Sequence, residues 1–298
     1  MGHHHHHNRR ESSLKWSIFL NVIITAAQVV GGIISGSLAL LSDALHNFSD
    51  VISLIVSYVA LLLGKNDASQ DKTFGYKRAE IIAAFVNAST LIIVGVMLVI
   101  EAVERFINPQ PINGGLVVWF AVLGIAVNGF SVLLIKRDAH VNMNMKSAYL
   151  HLLTDMLASV AVLIGGILMY YFDWYWIDAL LTLSIALYLI VISYSLLVDS
   201  TRILMLFTPK DIDLAALEKD IKTIELVNNV HHVHVWQLNE DEVHLEAHID
   251  FDKDISLIDF GNKLKELEQM LLEKYKINHV TLQPEHGYEE EKPLIVQD

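Results

Sequence analysis

The sequence predicts a polytopic α-helical membrane protein of six transmembrane helices with a C-terminal α+β domain outside the bilayer, and three observations predict it. The chain of 298 residues is 53% hydrophobic, too apolar for an ordinary soluble domain and too long for one compact bundle. Six apolar segments each reach the length of about 20 residues that crosses a hydrocarbon core. The charge is divided unevenly: of 34 acidic and 21 basic residues, the stretch 208–298 holds 21 acidic and 9 basic, nearly the whole net charge of −13. That last third therefore reads as a soluble acidic domain. Its charge argues against nucleic acid as a partner and favours cations, although plain solubility is the commoner use of such a face.

Residues 1–13 form a tail ahead of the first span. It contains His3 to His7, which read equally as a purification tag or a natural metal-gathering segment and carry no weight below. The predicted spans are residues 16–34, 38–63, 81–100, 116–135, 147–171 and 177–198, within a membrane domain of residues 14–207. The links after spans two and four and both terminal flanks collect the basic residues, among them Lys72, Lys77, Arg78, Lys136, Arg137 and Arg202, whereas the opposite side offers only Arg105. Both termini are therefore expected in the cytoplasm of a multi-pass protein, in the cell (inner) membrane. Five further spans follow the first, so it is not a secretory signal.

Thr208-Pro209-Lys210-Asp211 ends the apolar run and opens a domain at residues 208–288. Residues 212–224 read as an amphipathic helix, with Leu214, Leu217, Ile221 and Ile224 on one side. Residues 230–238 and 243–251 read as strands joined by an acidic turn; Val243, Leu245, Ala247, Ile249 and Phe251 alternate with polar residues. A helix over 256–275 and a strand over 277–283 complete a small α+β sandwich whose sheet has one helical and one free face. Residues 289–298 read as a frayed acidic tail.

Ionisable groups inside a bilayer cost about 2.5 to 3.5 kcal/mol each on insertion scales, so they need a reason. Span two carries Leu45-His46-Asn47-Phe48-Ser49-Asp50, and span five carries Leu150-His151-Leu152-Leu153-Thr154-Asp155. Positions i and i+4 share a helix face, so each element offers an imidazole beside a carboxylate. The two spans enter from opposite sides, and the pairs can meet near the midplane, where transporters place substrate. Two nitrogens and two oxygens suit tetrahedral Zn²⁺, with Co²⁺ and Cd²⁺ next, whereas Mg²⁺ and Ca²⁺ prefer six or more oxygens. Cysteine is absent, so neither disulfides nor thiolate ligands compete with this reading. The bland reading, in which each His and Asp satisfies its neighbour, is weakened by the repetition of the pattern.

Asp43 precedes His46 by three residues and is expected to face the outer vestibule, attracting cations or capping span two. Asn21, Gln28, Asn87 and Asn128 read as interhelical hydrogen-bonding groups, and Gly31, Gly32, Gly165 and Gly166 as close-packing positions. In the soluble domain, His231, His232 and His234 on one strand and His244 and His248 on the next bring five histidines onto neighbouring strands. His244, Glu246, His248 and Asp250 share the polar face. A surface metal site is expected there, with Glu285 and His286 as further ligands; the alternative is a set of solvated or core-edge histidines.

Together, Ser42-Asp43-Ala44-Leu45-His46-Asn47-Phe48-Ser49-Asp50, Phe74-Gly75-Tyr76-Lys77-Arg78-Ala79-Glu80, His151 to Asp155, Thr208-Pro209-Lys210-Asp211 and His231-His232-Val233-His234-Val235-Trp236 resemble the cation diffusion facilitator family over residues 14–287. The resemblance implies a zinc-type transport site at His46, Asp50, His151 and Asp155, a homodimer, and a ferredoxin-like, metallochaperone-like cytoplasmic domain. It points to His231, His248 and Glu285 for zinc in that domain. Departures exist: the loop between spans two and three has no histidine, and that between four and five only His140, so metal capture by those loops is not expected.

An imidazolium cannot bind metal, so metal and protons compete for His46 and His151, which is a means of coupling their movement. No ATP-binding glycine-rich loop is visible, and no covalent chemistry is required; the reading is a secondary transporter, not an enzyme, with no prosthetic group. Zinc enters as substrate and as a regulatory ligand. Rival readings are a membrane haem protein with His46 and His151 as axial ligands, a zinc sensor with a membrane anchor, and a proton-coupled carrier of an organic solute.

Overall fold

The computed structural model describes residues 19, 22–64, 69–135, 143–287 and 292–296. Within its helices, the side chains of Asp50 and of residues 143–152, among others, lie outside the description. The tail with His3 to His7, Asn21, His140 and residues 65–68 of the loop after span two also lie outside it. By compactness the chain divides into two units, Met1–Tyr58 with Val86–Leu196, and Val59–Phe85 with Leu197–Asp298.

Among the described residues the apolar segments fold as helices α1 (Val22–Ser35), α2 (Leu38–Gly64), α3 (Ala79–Ile107), α4 (Gly114–Ile135), α5 (Met143–Phe172) and α6 (Trp176–Leu204). Four stretches, Ala79–Ile107, Gly114–Leu133, Leu153–Phe172 and Trp176–Leu204, are long and apolar enough to cross a membrane. Large apolar side chains cover their outer surfaces: Met97, Trp119, Leu133 and Val191 are each 65–74% exposed. Such a surface is stable in hydrocarbon and a liability in water. Tyr170, Tyr171, Trp174 and Trp176 gather where α5 turns into α6, the composition of a membrane–water interface.

Inside the first unit, α4 and α5 run antiparallel in close contact, with Val117 and Ala121 of α4 against Val162 and Met169 of α5 and Ala39 and Leu40 of α2. The glycines act as expected. A Cβ on Gly31 would lie 2.4 Å from the Phe120 ring, and one on Gly165 would lie 2.4 Å from Leu181 Cδ1. The start of α2 is fastened by Asp178 of α6, a carboxylate the sequence reading passed over. It accepts from Ser37 Oγ (2.5 Å) and the Leu38 and Ala39 amides (2.8 and 3.3 Å), satisfying donors that a helix N-terminus leaves open.

The second unit contains α7 (Leu214–Ile221), β1 (Val227–Gln237), β2 (Val243–Phe251), α8 (Leu257–Tyr275) and β3 (His279–Glu285). The expected element order is present. Helix α7 is shorter than the predicted 212–224 because Asp213 caps it, its side chain accepting from the Ala215 amide at 2.9 Å, and because the chain turns after Ile221. Ser256 caps α8 in the same way, accepting from the Asp259 amide. Strand β3 begins two residues later than predicted: Ile277 is drawn into the core, and Asn278 uses its side chain to bond the Val243 amide and the Asp241 carbonyl.

Strands β1 and β2 pair antiparallel and β2 and β3 parallel, in the order β1-β2-β3; the parallel pair requires the crossover that α8 provides. Alternate residues Val243, Leu245, Ala247, Ile249 and Phe251 join Leu217, Ile221, Leu267 and Leu271 in one core, so α7 and α8 cover one face of the sheet. Strand β1 carries a bulge. The register shifts between His231 and His234, and His232 has φ of 50°, so Val230 and Val233 both point into the core although they are three residues apart.

The last residues differ from the expectation. Residues 292–296, read from sequence as part of a frayed tail, lie along β1: the Val233 amide donates to the Leu294 carbonyl at 2.8 Å and the His232 amide to the Pro293 carbonyl at 3.4 Å. Leu294 packs against the sheet's core. An apolar tetrad, Pro293 to Val296, follows the acidic run, and that change of composition is the signal the sequence reading did not use.

Candidate metal sites

Within the helical unit the structure brings α2 and α5 together at the residues the repeated motif singles out. His46 Nε2 lies 3.5 Å from Asp155 Oδ1, with the Asp155 side chain fully enclosed. The Tyr188 ring of α6 stands edge-on to the His46 imidazole at 6.1 Å. The backbone puts Asp50 one turn after His46 in α2 and His151 one turn before Asp155 in α5. Their side chains lie outside the described residues.

Asp43 is placed differently from the expectation of an open vestibule. It is 1% exposed and accepts from Gln28 Nε2 of α1 (2.9 Å) and Ser159 Oγ of α5 (3.2 Å). Gln28 Oε1 in turn accepts from Asn47 Nδ2 at 3.1 Å. Asp43 therefore ties α1, α2 and α5 together one turn from His46, because a buried carboxylate must find donors. Gln28 and Asn87 make the expected interhelical bonds, Asn87 to Ser49 Oγ at 3.1 Å; the buried Asn128 amide nitrogen finds no acceptor among the described residues.

In the second unit the strand register builds a cluster. Pairing sets His231 opposite His248 and Asp250 opposite Glu285, and alternate residues of a strand share a face, so all four reach the side of the sheet away from the helices. The ligand atoms of His231, His248 and Glu285 lie within 4.8 Å of one another. His248 Nδ1 is 2.8 Å from Glu285 Oε1, and His231 Nε2 is 3.4 Å from Glu285 Oε2. His231 is 6% exposed, and its Nδ1 makes no hydrogen bond although Asp250 Oδ2 lies 3.3 Å away. A buried nitrogen left in that condition suits a ligand that arrives later. Burial holds the His231 imidazole below its ordinary pKa, with Lys292 adding to that and Asp250 and Glu285 opposing it, a direction that favours the neutral ring a metal needs.

The other expected histidines are elsewhere. His232 stacks on His248 at 4.8 Å but stays outside the triad. The Nδ1 of His286 lies 3.0 Å from the Phe251 carbonyl, turned to backbone. His244, though on the predicted polar face, is 5% exposed under Trp236, His279 and Phe74; it belongs to an aromatic cluster. Asp250, placed on the polar face by the sequence, is part of the cluster, and Lys292 is the member sequence reasoning missed. Lys292 Nζ bonds Asp250 Oδ1 at 2.5 Å and Glu285 Oε2 at 2.9 Å.

These features define a class: an integral membrane protein of apolar helices that sets a histidine against a carboxylate between two of those helices and gathers histidines and carboxylates able to hold a metal ion again on a separate α+β unit. Comparison with known proteins agrees. Residues 14–205 match the cation efflux transmembrane domain, and residues 209–287 match the cytoplasmic domain of cation efflux proteins. The chain belongs to the cation efflux, or cation diffusion facilitator, family of metal transporters. It is 35% identical to the cadmium, cobalt and zinc/H(+)-K(+) antiporter of Bacillus subtilis, over 96% of this chain and 92% of the relative. It is equally similar, at 35%, to the metal cation efflux system protein CzcD of Cupriavidus metallidurans, over 92% and 86% of the two chains, and to the zinc transporter ZitB of Escherichia coli, over 87% and 82%.

Proposed function

We propose that the chain is a six-span secondary transporter that exports a divalent metal, zinc first and cadmium and cobalt after it, from the cytoplasm in exchange for protons. The observation that carries the reading is the approach of His46 to Asp155 across α2 and α5 at 3.5 Å. Asp50 and His151, one turn away along the two helices, are the residues that would make it a two-histidine, two-carboxylate set for tetrahedral zinc. The names of the relatives support metal efflux and, in one, exchange with protons.

In this reading cytoplasmic metal displaces protons from His46 and His151 when the site faces inward, and external protons displace the metal when it faces outward. Asp50 and Asp155 balance the charge. The domains are a tail at 1–13, a membrane domain at 14–207, a ferredoxin-like cytoplasmic domain at 208–288 and a tail at 289–298. Both termini lie in the cytoplasm, the protein resides in the cell (inner) membrane as a homodimer, and there is no enzymatic activity and no prosthetic group. His231, His248 and Glu285 hold a regulatory zinc. Zinc, cadmium, cobalt, nickel, manganese and iron fluxes into proteoliposomes under an imposed pH gradient test this: zinc transport that accelerates when the receiving side is acidified supports it, and indifference to the gradient refutes it.

A further inference from the structure

The cytoplasmic cluster already contains a cation. Lys292 reaches from residues 292–296 onto Asp250 and Glu285, and the three side chains are 12%, 13% and 13% exposed. The Glu285 oxygen that meets the ammonium, Oε2, is the same one that faces His231 Nε2 at 3.4 Å. A metal bound between His231, His248 and Glu285 would stand beside that ammonium, with coordinating imidazoles that carry no charge and, among the described residues, the carboxylates of Asp250 and Glu285 beside it. Adding two positive charges next to a third in a site largely closed to water is costly, so metal and lysine exclude each other.

Among the described residues, the segment that brings the lysine is held by two backbone hydrogen bonds to β1 and by Leu294 against the sheet's core. β1 is an edge strand, and its bulge turns the His232 and Val233 amides outward; the Pro293 and Leu294 carbonyls accept from them. Proline has no N–H to leave unsatisfied there, and an edge amide otherwise needs water.

We propose that Lys292 is a tethered cation that occupies Asp250 and Glu285 in the metal-free protein, so that a divalent metal ion binding at His231, His248 and Glu285 expels it and frees residues 292–296 from the edge of β1. The proposal rests on the reading of those three residues as metal ligands, and adds a built-in competitor and a conformational output. The lysine sets the metal concentration at which the site fills. The freed strap and bare β1 edge report that it has filled.

The test uses the full-length protein carrying Asp155→Ala, so that zinc binding reports the cytoplasmic site. Zinc is titrated against a chromophoric chelator for the Lys292, Lys292→Gln and Lys292→Arg forms, and amide exchange is followed in residues 230–236 and 292–296 with and without zinc. Lys292→Gln should bind zinc about tenfold more tightly, the worth of one charge-assisted contact that no longer has to be broken. Lys292→Arg should stay near the parent. Zinc should speed exchange of the Val233 amide in the parent, whereas metal binding to His231 with the strap in place would slow it. Equal affinities, or slower exchange on zinc binding, overturn the proposal while leaving the metal site intact. Zinc binding that survives His231→Ala with His248→Ala puts the metal elsewhere and overturns both.

Discussion

Asp155 is enclosed in the bundle with His46 as its neighbour on α2, and a carboxylate so placed is costly unless a cation shares it. Asp155→Ala should therefore reduce zinc flux by at least about tenfold, the order of loss that follows from weakening a metal's surroundings, with the protein still folded; Asp50→Ala should do the same. Stopped-flow zinc uptake in vesicles checks both, and full transport by either variant removes it from the ligand set. His46→Asp exchanges a borderline nitrogen for a harder oxygen and should widen the range of metals carried relative to zinc. An unchanged zinc-to-cadmium ratio counts against His46 as a ligand. At this scale the sequence was informative because the motif occurs twice in apolar surroundings. Asp43 shows the limit: spacing put it one turn from His46, but its bonds to Gln28 and Ser159 depend on how three helices pack.

At the level of elements, period and capping residues located α8 and β2 to within a residue, because Ser256 and the alternating valine, leucine and isoleucine positions act locally. The bulge in β1 was not legible, and the apolar tetrad Pro293 to Val296 signalled that the tail packs without saying where, since both features arise from pairing between distant stretches. His244 illustrates the same gap, and its burial has a consequence. Burial lowers its pKa first, with His279 and Lys77 adding to the shift and Glu242 opposing it. The unfolded chain, with histidine near pKa 6.5, therefore takes up the proton before the folded domain does. The stability that neutral His244 contributes is complete above about pH 6.5 and is lost as pH falls below it; His231 acts with the same sign. A fragment of residues 209–298, which holds its own hydrophobic core and keeps Trp236 and His279 against His244 though not Phe74 or Lys77, should melt at a lower temperature at pH 5.5 than at pH 7.5. His244→Phe should reduce that difference, and an identical pH dependence in the variant would contradict the assignment.

For the whole molecule, the acidic excess of residues 208–298 makes two cytoplasmic domains repel at low salt, and a metal at His231, His248 and Glu285 would offset part of that charge. Zinc should raise the sedimenting mass of the 209–298 fragment and stabilise it, by about 2.7 kcal/mol at a hundredfold excess over Kd. Replacing the three ligands with alanine should remove both responses yet leave part of the transport in the full chain. The central claim, however, is that metal and protons contend for one site between α2 and α5. Proteoliposomes loaded at a pH about two units below the outside, set against a histidine pKa near 6.5, measure it directly with a zinc dye inside and a proton dye outside. The account predicts zinc uptake that accelerates with the gradient, protons leaving the vesicle as zinc enters, and loss of both signals in Asp155→Ala. Zinc uptake at the same rate with and without the gradient would contradict it.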